Sequence, residues 1–277
     1  MRTTTLPSGE QVVVLGQGTW RMAEDPSLWD TEIKALRLGL ELGMTLIDTA
    51  EMYADGRAER LVGGAIAGHR DEVFLVSKVL PQNATRTGAI AACEGSLRRL
   101  GTDRLDLYLL HWRGRVPLEE TLAAFEQLVA SGHIRWWGVS NFDASDMEDL
   151  VALADGSAVQ TDQILYNLAR RGPEYELIPW CHERGIPIMA YSPIEQGRLL
   201  GHQALLDVAD RHEATPAQVA LAWVLRSDGV IAIPKSGVPA HVEHNAAAAA
   251  IRLTDDDLLL LDAAFPPPLS RRPLERL

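Results

Sequence analysis

Four residues with the chemistry of proton transfer stand at or just beyond short apolar runs. Asp48 follows Leu46-Ile47, Lys78 follows Val73 to Ser77, His111 follows Leu105 to Leu110, and Tyr53 comes five residues after Asp48. Runs of this kind are what strands buried on both faces look like. If those strands lie parallel, the acid, amine and imidazole meet at one end of a sheet, with the phenol on the loop above. Singly, each has a plainer reading: a helix cap for Asp48, a loop cation for Lys78, a surface aromatic for Tyr53, a core histidine for His111. As a set in this order they point to acid–base chemistry.

The elements that must position them repeat along the chain. Short apolar runs lie near Val13, Leu46, Val73, Leu105, Val139, Gln160, Ile188 and Ile231. Helical patterns fit Leu28–Leu42, Ala58–Ile66, Thr87–Leu100, Leu118–Ala130, Ala144–Ala154, Tyr175–Arg184 and Ala217–Arg226. Apart from a longer last interval, the runs recur about every 21 to 34 residues, the length of a βαβ unit. Eight such strands indicate an α/β fold, a closed (β/α)8 TIM barrel, formed as a single domain over residues 1–277. A short N-terminal β-hairpin, Thr3–Leu6 and Gln11–Leu15 around Pro7-Ser8-Gly9, precedes it, and extra C-terminal helices follow. Gly132, Gly156 and Gly185 stand where left-handed helix caps are useful. Thr254 followed by Asp255-Asp256-Asp257 reads as a helix start rather than a metal site, introducing Leu258 to Leu261 as a buried helix. Pro266-Pro267-Pro268 ends that helix and leaves a mobile tail.

Composition narrows the function. A net charge of −12 disfavours nucleic acid and anionic membrane surfaces as partners. No apolar stretch approaches the roughly 20 residues that cross a bilayer, and Met1 to Thr5 lacks the apolar core of a signal peptide. Cys93 and Cys181 have no metal-ligand spacing and read as buried free thiols in a reducing cytoplasm. No segment reads as a dedicated interface, so a cytoplasmic monomer is expected.

In a barrel of this kind the active site lies at the C-terminal ends of the strands. Those ends carry Asp48, Lys78, His111, Ser140-Asn141, Gln163, Tyr191-Ser192 and Lys235-Ser236. Ile47-Asp48-Thr49-Ala50-Glu51-Met52-Tyr53 resembles the D-T-A-x-x-Y segment of the aldo-keto reductases. Ser77-Lys78, Leu110-His111-Trp112, Gly138 to Phe142, Tyr191-Ser192-Pro193 and Ile233 to Ser236 fit the same family in the same order. The resemblance runs from about Leu15 to Asn245 and is nearest to the small bacterial members. It implies reduction of small aldehydes or ketones, including 2-oxoaldehydes such as methylglyoxal, by NADPH, with NADH possible as the alternative hydride donor. Asp48, Tyr53, Lys78 and His111 are then the catalytic set, with Tyr53 as general acid, Asp48 orienting Lys78, and neutral His111 aligning the carbonyl. A free phenol titrates near 10, and a nearby ammonium is expected to lower that value.

The resemblance also implies a cofactor berth. Ser140, Asn141 and Gln163 hold the carboxamide, Tyr191 stacks under the nicotinamide, and Asp48, Gly18, Thr19 and Trp20 lie alongside. The loop from Ser192 through Ile194 and Gln196 to Arg198 runs over the pyrophosphate, and Lys235, Ser236, His241 and Asn245 face the adenosine end. Gly16-Gln17-Gly18 lacks the third glycine of a Rossmann fingerprint, which argues against that mode. At the adenosine end the chain departs from the family, with His241 where an arginine is frequent and His244 where a glutamate is common. A histidine lacks the bidentate fork and fixed charge of arginine, so the preference for NADPH is expected to narrow.

Trp20, Met22, Tyr53, His111 and Trp112 are the expected substrate walls. The short segment Arg113–Pro117 and the short tail after Phe265 suggest an open pocket. His241-Val242-Glu243-His244 does not have the spacing of a zinc helix motif, and no metal is expected. Two other functions share the residues: a Schiff-base lyase using Lys78 as nucleophile, and a cofactor-sensing regulatory protein of the same fold.

Overall fold

The computed structural model describes residues 1–277. Two antiparallel strands, β1 (Thr3–Thr5) and β2 (Gln11–Val13), form the hairpin. Eight parallel strands follow: β3 (Gln17–Gly18), β4 (Leu46–Asp48), β5 (Phe74–Val79), β6 (Leu105–Leu110), β7 (Ile134–Ser140), β8 (Asp162–Leu165), β9 (Ile188–Tyr191) and β10 (Val230–Ala232). Each pairs with its neighbour in sequence, and bridges from Leu15 to Ala232 and from Gly18 to Lys235 join the two ends. The (β/α)8 barrel is therefore present, although its first strand is not the run at Val13. That run belongs to the hairpin, and the barrel strand begins after it.

Side chains alternate along each strand, and this decides what fills the barrel. Leu46, Val76, Leu107, Leu109, Met189, Ile231 and Ile233 form an inner cluster, closed below by Leu6 and Val12 of the hairpin. The intervening residues, among them Ile47, Leu75, Tyr108, Leu110 and Trp137, pack outward against the helices. Continuing the inward register past the apolar layer gives Asp48, Lys78 and His111. The same two-residue period that builds the core thus delivers polar groups to the mouth.

The first helices around the barrel are α1 (Trp29–Glu41), α2 (Arg57–Ile66), α3 (Arg86–Leu100), α4 (Leu118–Ala130) and α5 (Ala144–Val151). They are followed by α6 (Leu177–Glu183), α7 (Gln203–Arg211), α8 (Pro216–Val224), α9 (Pro239–Ala248) and α10 (Asp255–Ala264). Phe125 of α4 stacks on Trp137 at 5.7 Å between centroids, fixing helix against strand. Cys93 and Cys181 are buried and unpaired. No helix is long and apolar enough to cross a membrane.

Three expectations are corrected. Gly132 and Gly185 take left-handed backbone, but after α5 that conformation falls on Asp155, at φ 62°. Gly156 is needed instead for close approach, because a Cβ there would lie 1.8 Å from the carbonyl oxygen of Leu150. Thr254 does cap α10, in a box with Asp257, yet the helix is not buried: Leu261 is enclosed while Leu259 is 68 % exposed. The tail is not free either. Leu274 packs on the core, Arg271 pairs with Glu176 at 3.0 Å, and Arg276 reaches the mouth.

Candidate active site

Lys78 is the hub of the mouth. Its side chain is fully enclosed, and Nζ donates to Asp48 at 2.8 Å, to the Thr49 carbonyl at 2.8 Å and to the Tyr53 hydroxyl at 3.1 Å. A buried ammonium is tolerable only with such a set of acceptors. Asp48 is also held: Gln163 Nε2 donates to Oδ1 at 2.8 Å, and Thr19 Oγ1 donates to its backbone carbonyl at 2.9 Å. Tyr53 arrives on a tight turn after β4, whose Ala54 and Asp55 take φ of 48° and 55°. His111 lies against it edge to face, 5.9 Å between centroids, and the Trp112 ring lies 4.9 Å from that of His111.

The four groups expected from the sequence are therefore together. The electrostatics differ from expectation at Tyr53. Burial, with the Asp48 charge behind it, holds the phenol well above its ordinary value rather than below it. The Asp48 carboxylate compensates Lys78, so the ammonium does not offset desolvation. Burial lowers the Lys78 ammonium, against the pull of Asp48 and Glu59. Burial and then the Lys78 charge push His111 down to about 2, so its ring is neutral. Its Nδ1 is enclosed without a hydrogen-bond partner.

The neighbouring strand ends form a connected polar ring. Ser140 Oγ donates to the Gln163 carbonyl at 2.8 Å, and Asn141 Nδ2 donates to the His111 carbonyl at 3.1 Å and to Ser140 Oγ at 3.0 Å. Tyr191 donates its hydroxyl to Asn141 Oδ1 at 2.9 Å. The backbone here is strained. Every non-glycine residue with positive φ lies on loops at this end of the barrel except Asp155 and Glu213. They include Arg21, Asn141, Ser192, Glu195 and Gln196. Strain concentrated at one face marks it as a place where backbone geometry serves ligands rather than stability.

Gly18 is buried at a position that only glycine fits, since a Cβ would lie 2.7 Å from the Ile233 carbonyl, and Thr19 beside it is fully enclosed. Trp20 is 39 % exposed, with the Arg21 guanidinium 4.9 Å over its ring. Met22 is a correction: it is completely buried and packs into the core, turned inward by the tight turn Thr19–Met22. It is no part of an accessible wall. Ile194 is half-buried, Gln196 exposed, and Ser192 half-buried. Past β10, Lys235 is exposed and Ser236 hydrogen-bonds with Val238 just before α9. His241 and His244 are exposed on α9, whereas Asn245 is 7 % exposed.

Two contributors were not among the residues expected from the sequence. Glu51 accepts from the Leu80 amide at 2.7 Å and from Asn83 at 3.0 Å, tying the loops after β4 and β5 together. Arg276 donates to the Asn141 carbonyl at 3.0 Å, from the far end of the chain. Glu51 stands inside the Asp48–Tyr53 motif, which is a hint. Arg276 has none.

Comparison with known proteins agrees with this geometry. Residues 14–265 match the model of the Aldo/keto reductase family. Methylglyoxal reductase YeaE of Escherichia coli (strain K12) is 54 % identical over 266 residues, covering 94 % of each chain. Glyoxal reductase of Bacillus subtilis (strain 168) is 33 % identical over 264 residues, covering 94 % of this chain and 92 % of that one. An aldo/keto reductase from Klebsiella pneumoniae, solved in complex with NADP and acetate, superimposes with a TM-score of 0.97 at 50 % identity over 99 % of both chains. A chain with this barrel and this ring of strand-end residues, matched by that model over most of its length, is an oxidoreductase belonging to the aldo/keto reductase family.

Proposed function

We propose that the protein reduces small aldehydes and ketones, 2-oxoaldehydes such as methylglyoxal among them, to alcohols using NADPH. The observation that carries this is the Asp48–Lys78–Tyr53 chain of hydrogen bonds beside a neutral His111. The cofactor, when bound, supplies hydride to the carbonyl carbon. Tyr53 donates its proton to the carbonyl oxygen. A high pKa keeps the phenol protonated at neutral pH, and Lys78, at 3.1 Å, stabilises the phenolate as it forms. Asp48 and the Thr49 carbonyl fix the ammonium. His111, unable to charge near neutral pH, donates a ring N–H that aligns the substrate oxygen. Trp20 and Trp112 are the apolar walls.

The residues present fit a nicotinamide cofactor. Asn141, Gln163 and Ser140 offer amide and hydroxyl groups to a carboxamide, and Tyr191 offers a ring face beside them. Ser192, Ile194 and Gln196, on the loop after β9, would hold the pyrophosphate, and Gly18 and Thr19 would lie alongside the cofactor. Lys235 carries its charge in the open, and with Ser236, His241, Asn245 and the N-terminus of α9 it forms the adenosine-phosphate end. Relatives from Klebsiella pneumoniae bind NADP or NADPH, which supports the choice of cofactor. Buried free thiols and the acidic composition support a cytoplasmic protein, and we take it to act as a monomer.

The test is the ratio of kcat/KM for NADPH and NADH with methylglyoxal. A ratio above one, but modest because His241 replaces an arginine fork, is expected. Equal or NADH-favouring values overturn the cofactor preference, and no oxidation of either cofactor overturns the activity.

A further inference from the structure

Glu195 lies in the loop that follows β9, with its carboxylate almost wholly enclosed. It accepts from Asn167 at 2.8 Å, from Arg198 at 2.7 Å, and from Arg170 through Nε at 3.2 Å and Nη2 at 3.0 Å. Burial pushes this carboxyl up, but the hydrogen bonds from Arg170, Arg198 and Asn167 outweigh it and hold it below its ordinary value. Asn167 also donates to the Ser192 carbonyl at 2.9 Å, so the loop is gripped at two points.

Arg170 has a second task. Its Nη1 donates to Glu275 Oε1 at 2.5 Å, so one guanidinium spans the loop and the C-terminal tail. Glu275 takes one edge of the planar fork and leaves Nε and Nη2 aimed at Glu195. An arginine fork so shared is fixed in orientation, and a lone one is not. The next tail residues reach the other side of the mouth. Arg276 donates to the Asn141 carbonyl, and the backbone of Leu277 lies beside the Tyr191 hydroxyl. The tail thus touches residues assigned to the nicotinamide directly and reaches the loop assigned to the pyrophosphate through Arg170.

We propose that Arg170 and Glu275 are positioning residues that latch the tail to the cofactor loop and slow release of the bound nicotinamide cofactor. This rests on the reading of Ser192–Arg198 as the loop over the pyrophosphate. Loss of Glu275 frees the Arg170 guanidinium to turn away from Glu195, and the loop then opens more often.

The test is stopped-flow release of NADPH from the full-length protein into excess NADP+, followed by energy transfer from tryptophan to bound NADPH. Because the pair is partly exposed, Glu275→Gln is expected to speed release about 2- to 5-fold. In an Arg170→Gln background the same change is expected to add nothing, since its partner is already gone. Raising ionic strength is expected to speed release from wild type more than from Glu275→Gln. Release unchanged in Glu275→Gln, or an equal effect in both backgrounds, overturns the latch. Glu195→Gln, with Arg198→Met as a milder companion, separates the two readings. If these speed release and Glu275→Gln does not, only the latch fails. If none of them alters release, the loop does not cover the cofactor and both readings fail.

Discussion

Asp48 and Tyr53 belong to one hydrogen-bonded chain, yet substituting them has different consequences. Asp48→Asn leaves the fully enclosed Lys78 ammonium without its countercharge. Breaking a buried pair costs about 3 to 5 kcal/mol, so this variant is expected to lose melting temperature as well as turnover. Thermal unfolding beside steady-state assays checks this, and an unchanged melting temperature contradicts the burial argument. Asp162 shows the opposite problem. Its carboxyl is enclosed, Oδ2 has no partner, and the only donor is the Phe142 amide at 3.4 Å. Burial raises its pKa well above the usual value, helped by Asp146 and Asp143 against the Phe142 amide and Arg276. A raised carboxyl contributes its full stability only below its unfolded value and loses it as pH rises toward the folded one. The melting temperature of Asp162→Asn minus that of wild type is therefore expected to grow from about pH 5 to pH 8, where an unfolded carboxyl is ionised and the enclosed one resists ionisation. A difference independent of pH counts against the buried-acid reading. Of these residues the sequence displayed Asp48, Lys78 and His111 openly, because a two-residue period places them. It misplaced the direction of the Tyr53 shift, because desolvation depends on neighbours that no local pattern reveals.

Among the elements, barrel strands and helices were legible in the sequence because burial on both strand faces and one helix face leaves a periodic trace. The expected helix Leu118–Ala130 is found with those bounds, and the others shift by a few residues at their ends. Turns were less legible. After α5 the left-handed residue is Asp155, and Gly156 is required by the nearby Leu150 carbonyl. Gly156→Ala is thus expected to destabilise by about 1 to 3 kcal/mol, as overpacking against backbone does. Chemical denaturation measures this, and a neutral or stabilising effect refutes the close-approach explanation. Met22 was misread for a related reason. It was expected among the substrate walls with Trp20, but the turn after Thr19 sends it into the core.

On the scale of the whole molecule, contacts made by the last residues were not legible at all. Glu275 and Arg276 act through partners at Arg170 and Asn141, more than a hundred positions earlier, and charged tails carry no periodicity. The barrel instead conveys its function through convergence, since parallel strands in sequential order bring distant strand ends to one mouth. Neither His111, held near 2, nor Tyr53, held high, titrates close to neutrality. Turnover in the reductive direction is accordingly expected to stay level across roughly pH 5 to 8, and a bell centred there contradicts the assigned protonation states. The central claim is that Tyr53 donates the proton. Single-turnover oxidation of bound NADPH by methylglyoxal, in wild type and Tyr53→Phe, tests it most directly. Loss of about 10²- to 10⁴-fold in rate with NADPH affinity retained is the expected result. An undiminished rate in Tyr53→Phe contradicts it.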